Sequence, residues 1–293
     1  MKPLFFLFFI FSTFAFSYEK AKLCPALQAC FQETLEECSK EDLKPYKKIT
    51  YDEEFCAPFQ EIKKRGLSVK SDIGKEVYSK LSGEYRVFYK AEGTLPATKS
   101  MMSFLFDYMP FTAELINAYQ DANYELHYTN RNHTAFSGSN GRSLSGDFIW
   151  ALQDSLGQKK CLRNVFLGYG RAKVLKWSLK GIAIAFLDMD VKDKNTIYYK
   201  LTAIVFPANS ILNSIMQMNL FKAVVSDKID NIVQDVVNSA KSFAEGEKDP
   251  ILKSEVFKTG KYKQELKLFE EVVGGRSWEL GDALKNKGIE NGK

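Results

Sequence analysis

Residues 209–243 read NSILNSIMQMNLFKAVVSDKIDNIVQDVVNSAKSF, and this stretch decides the fold. Its apolar residues recur at three- and four-residue steps, with charged residues on the opposite side, which is typical of an amphipathic helix. Asn209 or Ser210 can cap the start, and Gly246 follows the end. The pattern predicts one long helix from Asn209 to Phe243, whose wide apolar face needs a partner that excludes water.

The partner of that face is predicted from the residues before the helix, where apolar and polar side chains alternate with the period of a strand. One strand covers Gly83 to Lys90, and six more follow between Asn123 and Phe206, separated by short turn sequences such as Ser139-Asn140-Gly141. Strands joined by short turns form an antiparallel meander. We therefore predict an α+β fold in which a curved antiparallel sheet of about seven strands grips the long C-terminal helix.

A helical interval separates the first strand from the meander. Residues Ala97 to Gln120 are rich in Met, Phe and Leu, and Pro110 lies near the middle. Because proline removes a helical hydrogen bond and clashes with the preceding turn, Pro110 should divide this interval into two helices.

This order of elements resembles the helix-grip fold of the START and polyketide-cyclase-like superfamily. The resemblance extends from Gly83 to Phe243 and is one of element order, since no sequence motif of that superfamily is present. It implies that the sheet wraps the last helix and leaves a cavity that holds a lipid or another apolar small molecule.

The residues themselves also suggest such a cavity. On the strand that starts at Trp177, the alternating residues Gly181, Ala183 and Ala185 are small, so the space on this face must be filled from elsewhere. Flexible methionines of the long helix suit irregular apolar partners. The candidate ligand-binding residues are Trp177, Gly181, Ala183, Ala185, Tyr199, Met216 and Leu220. The alternative is that the small residues let the helix approach the sheet closely, which would leave a dry, filled core.

Residues 1–17, MKPLFFLFFIFSTFAFS, are typical of a secretory signal peptide. One lysine precedes a short apolar run, and Ala15 and Ser17 are the small residues that a signal peptidase requires. We expect cleavage after Ser17, with an uncleaved membrane anchor as the alternative. The protein is therefore predicted to be exported, to a periplasm or to the extracellular medium.

Four cysteines, Cys24, Cys30, Cys38 and Cys56, lie in a module predicted over residues 18–80. Export favours disulfide bonds between them, whereas their wide spacing lacks the close pairs of a zinc site. Four cysteines allow three pairings, and the sequence does not choose among them. Cys161, far downstream, is expected to be a buried free thiol or to bond a partner chain.

The module should form a small hairpin of two helices tied by these disulfides. Apolar residues and cysteines from Pro25 to Cys38 follow a helical period, and a second helix is predicted from about Asp52 to Gly66. After this module we expect the helix-grip domain over residues 81–246. A charged C-terminal tail should follow over 247–293, with one helix from about Tyr262 to Val273.

The amino-acid composition limits which partners and reactions can be predicted for the protein. The chain of 293 residues has 41 Lys and Arg against 36 Asp and Glu, a net charge of +5 without a basic tract, so no nucleic-acid partner is predicted. The two histidines, His127 and His133, fit surface positions better than catalysis, and no metal, cofactor or catalytic residue is predicted. The cluster Lys63-Lys64-Arg65 either contacts anionic lipid or is solvated at a helix end, which leaves peripheral membrane contact open.

Three functions are compatible with these features. The first is an exported, non-enzymatic binding protein that holds a lipid or another apolar molecule between the sheet and the long helix. The second is an envelope structural or interaction protein with a filled core, which contacts a protein partner through the cysteine module or the tail. The third is an enzyme that uses the cavity, but strand alternation places Asp147 and Asp188 on the outer faces, where they could not act as its acids.

Overall fold

The computed structural model describes residues 21–153, 161–174 and 177–286. The chain divides into two compact units, residues 1–86 and 87–293, which are described in turn. Every helix in these described ranges is too short or too polar to cross a membrane.

The first unit contains three helices, one more than the predicted hairpin. They are α1 over residues 21–31, α2 over Glu53–Lys64 and α3 over Asp72–Leu81. The side chain of Asp52 accepts a hydrogen bond from the Phe55 amide at 2.8 Å, so α2 starts where a capping residue predicts it. The first helix was predicted to reach Cys38 but ends at residue 31, because Gln32 adopts a left-handed conformation with φ of 58°.

Two disulfide bonds tie this unit together, and they use all four candidate cysteines. Cys24 bonds to Cys38 and Cys30 bonds to Cys56, with Cα–Cα distances of 5.9 and 5.2 Å. The second bond joins α1 to α2 directly. Disulfides are consistent with export, because exported chains mature in oxidising compartments. The side chain of Cys161 lies outside the described residues.

An arginine closes the core of the first unit. The Arg86 guanidinium lies over the Phe55 ring, 3.8 Å from its centroid, and donates to the carbonyl oxygens of Phe55, at 2.7 Å, and Leu81. Burial lowers the pKa of Arg86 to about 10. The side chain therefore stays charged at neutral pH and supplies two buried carbonyls with donors.

The second unit is built on one antiparallel sheet of seven strands in the order β1-β7-β6-β5-β4-β3-β2. This confirms the predicted α+β fold class. All six pairs of neighbouring strands are antiparallel. In five of these pairs the two strands are consecutive in sequence, as in the predicted meander. The strands are β1 Val87–Leu95, β2 Glu125–Tyr128, β3 Ala135–Ser139, β4 Leu144–Gln153, β5 Cys161–Val174, β6 Trp177–Asp193 and β7 Thr196–Phe206.

Two helices connect β1 to β2, as the position of Pro110 predicts. They are α4 over Lys99–Asp107 and α5 over Met109–Gln120, and Pro110 lies in the first turn of α5. Tyr108 between them leaves the helical region, with φ of −120° and ψ of 52°. Proline is tolerated in a first turn because its missing amide hydrogen would have no helical partner there.

The chain forms two helices where the sequence predicts one long helix from Asn209 to Phe243. These are α6 over Ser210–Gln217 and α7 over Asn219–Ala244, and Met218 between them is extended, with ψ of 135°. The hydroxyl of Tyr89 donates to the Met216 carbonyl at 3.4 Å, and the Met216 side chain is buried against β1 and β7 residues. Contacts from the sheet thus stabilise the end of α6, where the sequence has neither Gly nor Pro to mark a break.

The segment after Gly246, described above as a charged tail, is folded as part of the second unit. Its helices are α8 Asp249–Lys253, α9 Glu255–Lys258, α10 Lys263–Val273 and α11 Asp282–Asn286, and α10 matches the helix predicted there. Phe269 and Trp278 are fully buried and pack on Phe104 of α4, with ring centroids 5.2 and 5.0 Å away. The described part of this segment therefore extends the core of the second unit.

One buried carboxylate links this C-terminal segment to α4 by hydrogen bonds. Asp107, at the end of α4, is 7% exposed and accepts hydrogen bonds from Trp278 Nε1 at 2.9 Å, from the Gly281 amide at 2.7 Å and from the Ala283 amide at 3.2 Å. Burial raises the pKa of Asp107 to about 6, although the three donors act in the opposite direction. A raised pKa means that the folded state favours the protonated carboxyl group more than the unfolded chain does.

Asp107→Asn should lower the free energy of unfolding by about 1–3 kcal/mol, because an amide nitrogen would face N–H donors in a buried site. The contribution of Asp107 is fully present below its unfolded pKa of 3.8 and is lost as the pH rises through about 6. Denaturant unfolding across this range should show the wild type losing stability relative to the variant as pH rises. The control Asp121→Asn changes an exposed acid at the end of α5 that forms none of these contacts. If the stability of the wild type relative to Asp107→Asn instead increases with pH, the three hydrogen bonds stabilise the carboxylate more than burial destabilises it.

Candidate ligand-binding site

A cavity of about 290 Å³ lies between the sheet and the helices α6 and α7, and we name it the sheet cavity. Strand residues form one wall and helix residues form the other. Its apolar and glycine lining comprises Tyr89, Leu144, Phe148, Gly168, Gly170, Ala172, Leu179, Gly181, Ile182, Ala183, Ala185, Leu201, Ala203, Val205, Met216, Phe221, Val225 and Ile229. The side chains of Phe221, Val225 and Ile229 on α7 are only partly buried, whereas Val237, Ala240 and Phe243 further along are fully buried. The cavity therefore lies under the first half of α7.

Four of the predicted ligand-binding residues meet in the sheet cavity. Gly181, Ala183 and Ala185 line it from β6, and Met216 lines it from α6. Alternation along β6 puts the three small residues on one face, and Met216 lies opposite them because α6 crosses that face. Small strand residues and a flexible methionine thus share the lining of one cavity.

Of the other three predicted residues, one has a described side chain, and it lies outside the cavity. Tyr199 is 3% exposed and lines neither this cavity nor the one described below; its ring lies against Gly93, and its hydroxyl donates to Asp230 Oδ1 at 3.4 Å. The Tyr199 side chain therefore joins the sheet to α7. The side chains of Trp177 and Leu220 lie outside the described residues.

A row of glycines shapes the sheet beside the cavity. Gly138, Gly146, Gly170 and Gly181 are paired in succession across β3, β4, β5 and β6. A Cβ atom on Gly146 would lie 2.6 Å from the Tyr169 carbonyl oxygen, and one on Gly170 would lie 2.8 Å from that of Ser145. Such close approach of neighbouring backbones occurs where a sheet bends sharply, and glycine permits it.

Gly146→Ala should therefore destabilise the protein by about 1–3 kcal/mol, because the new methyl group must displace the backbone of β5. Gly181→Ala is the matched control: its Cβ would lie 3.7 Å from Val205 Cγ1, an ordinary contact, so the stability should change by less than about 1 kcal/mol. Chemical denaturation of both variants measures the difference. Equal losses would contradict the tight bend at Gly146.

A second cavity, of about 370 Å³, lies next to the first, and we name it the helix-pair cavity. It is bounded by α4 and α5, by β2 to β4 and by α7. Both cavities include Leu144 and Phe148 in their linings, so these two side chains form a partition. The Phe148 ring stacks on Phe136, with centroids 5.2 Å apart, and covers Gly168, whose missing side chain leaves the room for it.

Three tyrosine hydroxyls hold the helices over the sheet. Tyr124 donates to Asp235 Oδ2 at 2.8 Å, in addition to the bonds from Tyr89 and Tyr199 described above. Burial, together with the adjacent Asp235 carboxylate, raises the pKa of Tyr124, and burial raises the pKa of Tyr89 to about 12. These hydroxyls therefore stay protonated and act as donors at physiological pH.

Two charged residues belong to the lining of the sheet cavity. Arg171 is paired with Lys180, and alternation with Gly170 and Ala172 directs its side chain to the outer face of the sheet. Lys228 lies on α7 between Val225 and Ile229 and is half-buried. Among the described residues no ion pair or hydrogen bond engages the Lys228 ammonium group, and its side chain contributes to the lining of a largely apolar cavity.

The residues considered for catalysis are dispersed. His127 is exposed on β2, and the His133 ring stacks on Tyr128 at 3.8 Å. Asp147 accepts a hydrogen bond from Ser137, away from both cavities. In the described ranges no three His, Cys, Asp or Glu side chains are grouped so that they could hold a metal ion.

Sequence reasoning missed part of the site although signals for it existed. Three residues of β7 point to the same face of the strand as Tyr199 and line the sheet cavity: Leu201, Ala203 and Val205. Phe148 and Leu144 in β4 share one face by the same rule. Lys228 carried no such signal, because a lysine at the edge of an apolar helix face usually reaches solvent.

Comparisons with known proteins assign no family to this chain. No family model matches the sequence, and no curated protein is significantly similar to it. Among solved structures, a hypothetical protein from Helicobacter pylori is 11% identical, with a TM-score of 0.35 over 53% of this chain and 89% of its own. Ara h 8.0201 is 10% identical, with a TM-score of 0.37 over 52% of this chain and 96% of its own. The Mll3558 protein from Rhizobium loti is 9% identical, with a TM-score of 0.33 over 53% and 96%. The strand order and C-terminal helix of this chain fit a helix-grip fold.

Proposed function

We propose that this protein binds a lipid or another apolar small molecule between its sheet and α7. The observation that carries the proposal is the sheet cavity, which is lined by small side chains on the strands and by larger, flexible ones on the helices. Ligand pockets are concave and mainly apolar, with few polar groups, and this cavity has that character. Its volume of about 290 Å³ is at the lower end of the usual range, and the helix-pair cavity adjoins it.

The two cavities favour ligand binding over the alternative of a purely structural protein with a filled core. Protein interiors are packed as densely as organic crystals, and empty apolar space lowers stability. A folded chain that retains two adjacent apolar cavities gains stability when an apolar molecule fills them. The helix-grip resemblance implies the same use of this space.

We infer that the protein acts after export. This inference rests on residues 1–17, whose sequence is typical of a signal peptide, and the two disulfide bonds are consistent with it. The periplasm or the extracellular medium is the proposed location. Lipids taken up there would come from membranes or from other extracellular carriers.

Ala183→Leu tests the proposal by filling the sheet cavity from β6. The affinity for a fluorescent apolar probe should fall at least about tenfold, because the leucine occupies the space that the probe needs. The control Ser178→Leu adds the same side chain to an exposed position on the opposite face of β6 and should leave binding unchanged. Saturation titrations of the delipidated protein measure both. If neither the wild type nor any variant takes up a probe, the proposed function is wrong.

Lys228 indicates the chemical class of the ligand within this proposal. Since no described residue pairs with the Lys228 ammonium group at the edge of the cavity, an acidic amphiphile can supply a carboxylate while its chain fills the cavity. Lys228→Met should weaken binding of a fluorescent fatty acid by about tenfold and that of the matching fatty alcohol by less than about twofold. Lys222→Met, also on α7 but outside the cavity lining, is the control. Equal losses for acid and alcohol would contradict a role for the charge.

A further inference from the structure

The helix-pair cavity is less buried on one side than on the other. Towards α4 and α5 its lining is mostly buried, as at Leu105, Met109 and Ile116. On the opposite side the lining lies before β2, around the turn between β3 and β4, and on α7, and there it is only partly buried. This set, which we name the mouth, consists of Tyr124, Ser139, Asn140, Leu144, Ile232 and Val236. The least buried path from solvent into the cavity therefore leads through the mouth.

The side chain of Tyr124 reaches across the mouth to α7. Its hydroxyl donates to Asp235 Oδ2 at 2.8 Å, and within the described ranges this is the one hydrogen bond of the side chain. Among the described residues the Tyr124 ring stacks on no other aromatic ring, and it is not packed against the buried core cluster of the second unit. The bond to Asp235 is therefore the main contact that holds the ring in place.

The backbone of Tyr124, in contrast, is fixed by several contacts. The side chain of Asn117 on α5 accepts a hydrogen bond from the Tyr124 amide at 2.6 Å and donates one to the Tyr124 carbonyl at 2.8 Å. The preceding Asn123 carbonyl lies so close to Gly141, in the turn between β3 and β4, that a side chain on Gly141 would collide with it. The ring can therefore rotate about its χ1 bond once one hydrogen bond is lost, while the backbone beside it stays in place.

The acceptor on α7 is held from the other side. Ser239 is fully buried, donates to the Asp235 carbonyl at 2.7 Å and accepts a hydrogen bond from Gln120 of α5 at 3.3 Å. These two bonds join the end of α5 to the turn of α7 that carries Asp235. The Asp235 carboxylate therefore stays opposite Tyr124, and it lines neither cavity.

We propose that the Tyr124 side chain is a gate of the helix-pair cavity, latched by Asp235, through which an apolar ligand enters and leaves. This inference rests on the proposed binding function and adds to it the route of the ligand and the residues that control its rate. The latch closes the empty and the filled cavity in the same way, because neither partner of the bond needs the ligand. Its loss should therefore raise the rates of entry and exit by the same factor and leave the affinity nearly unchanged.

The first test detects the gate without a ligand. Ala113 on α5 lines the helix-pair cavity and is 5% exposed, so a thiol reagent must pass the gate to reach a cysteine at this position. In an Ala113→Cys, Cys161→Ser background, Tyr124→Phe should raise the labelling rate by monobromobimane about tenfold, because a bond to a charged group is lost and the open state becomes more populated. Asp235→Ala should have the same effect.

Two controls separate this effect from a general loosening of the fold. Ala240→Cys places the thiol at a buried site on α7 that lines neither cavity, and its labelling rate should not change when Tyr124→Phe is added. Tyr119→Phe removes another tyrosine hydroxyl, one that joins α5 to the Glu247 carbonyl away from both cavities. It should leave the labelling rate at position 113 unchanged.

The second test follows an apolar probe, N-phenylnaphthylamine, by stopped-flow fluorescence with the full-length chain. Asp235→Ala should raise its association and dissociation rates about tenfold and change the dissociation constant by less than about twofold. Asp227→Ala, at an exposed position on the same helix, is the matched control and should change neither rate. Adding Tyr124→Phe to Asp235→Ala should give no further acceleration, because both substitutions remove the same bond.

The proposal is overturned if labelling at position 113 is unchanged by Tyr124→Phe and Asp235→Ala, or if labelling at position 240 rises equally. It is also overturned if labelling accelerates but the probe rates do not, because the ligand then enters by another route. A wild type that takes up no probe refutes the proposed function, and the labelling rates still decide whether Tyr124 closes the cavity.

Discussion

The apolar side of α7 packs against the inner face of the sheet, because both surfaces must be shielded from water. The rest of the second unit depends on this contact. Three tyrosine hydroxyls fix the distance between the two surfaces by bonding to α6 and α7. At the C-terminal half of α7, Val237, Ala240 and Phe243 are buried, and Phe243 packs on Phe269 of α10. At the N-terminal half, β6 presents glycine and alanine, so the same contact leaves space.

The fold could be predicted to this level because its signals are local. Alternation within each strand, the turn sequences and Pro110 each act over a few residues, and together they determine the element order. The break at Met218 could not be predicted, because it is stabilised by Tyr89 and the sheet and not by a residue in the helix. The burial of Trp278 was equally hidden, since its partner Asp107 is 171 residues away and Trp278 lies in a highly charged C-terminal segment.

The site was predictable in part for the same reason. Parity along β6 placed Gly181, Ala183 and Ala185 on one face, and the structure brings them together with Met216. The alternation of side chains along a strand does not determine the register between strands. That register aligns four glycines into a line along which the sheet bends: Gly138, Gly146, Gly170 and Gly181. Disulfide pairing was undetermined on similar grounds, because spacing alone does not show which cysteines approach one another.

Under the proposed binding function, the partition between the two cavities has a consequence for the size of the ligand. Phe148 is kept in place by stacking on Phe136 and by the gap over Gly168, and these contacts are lost when the ring rotates. A short chain fits on one side without disturbing the ring. A longer one must turn the ring aside and thereby gains the volume of both cavities at once. Affinity should therefore rise with chain length in a step rather than smoothly, with the step at the length where a chain first reaches Phe148.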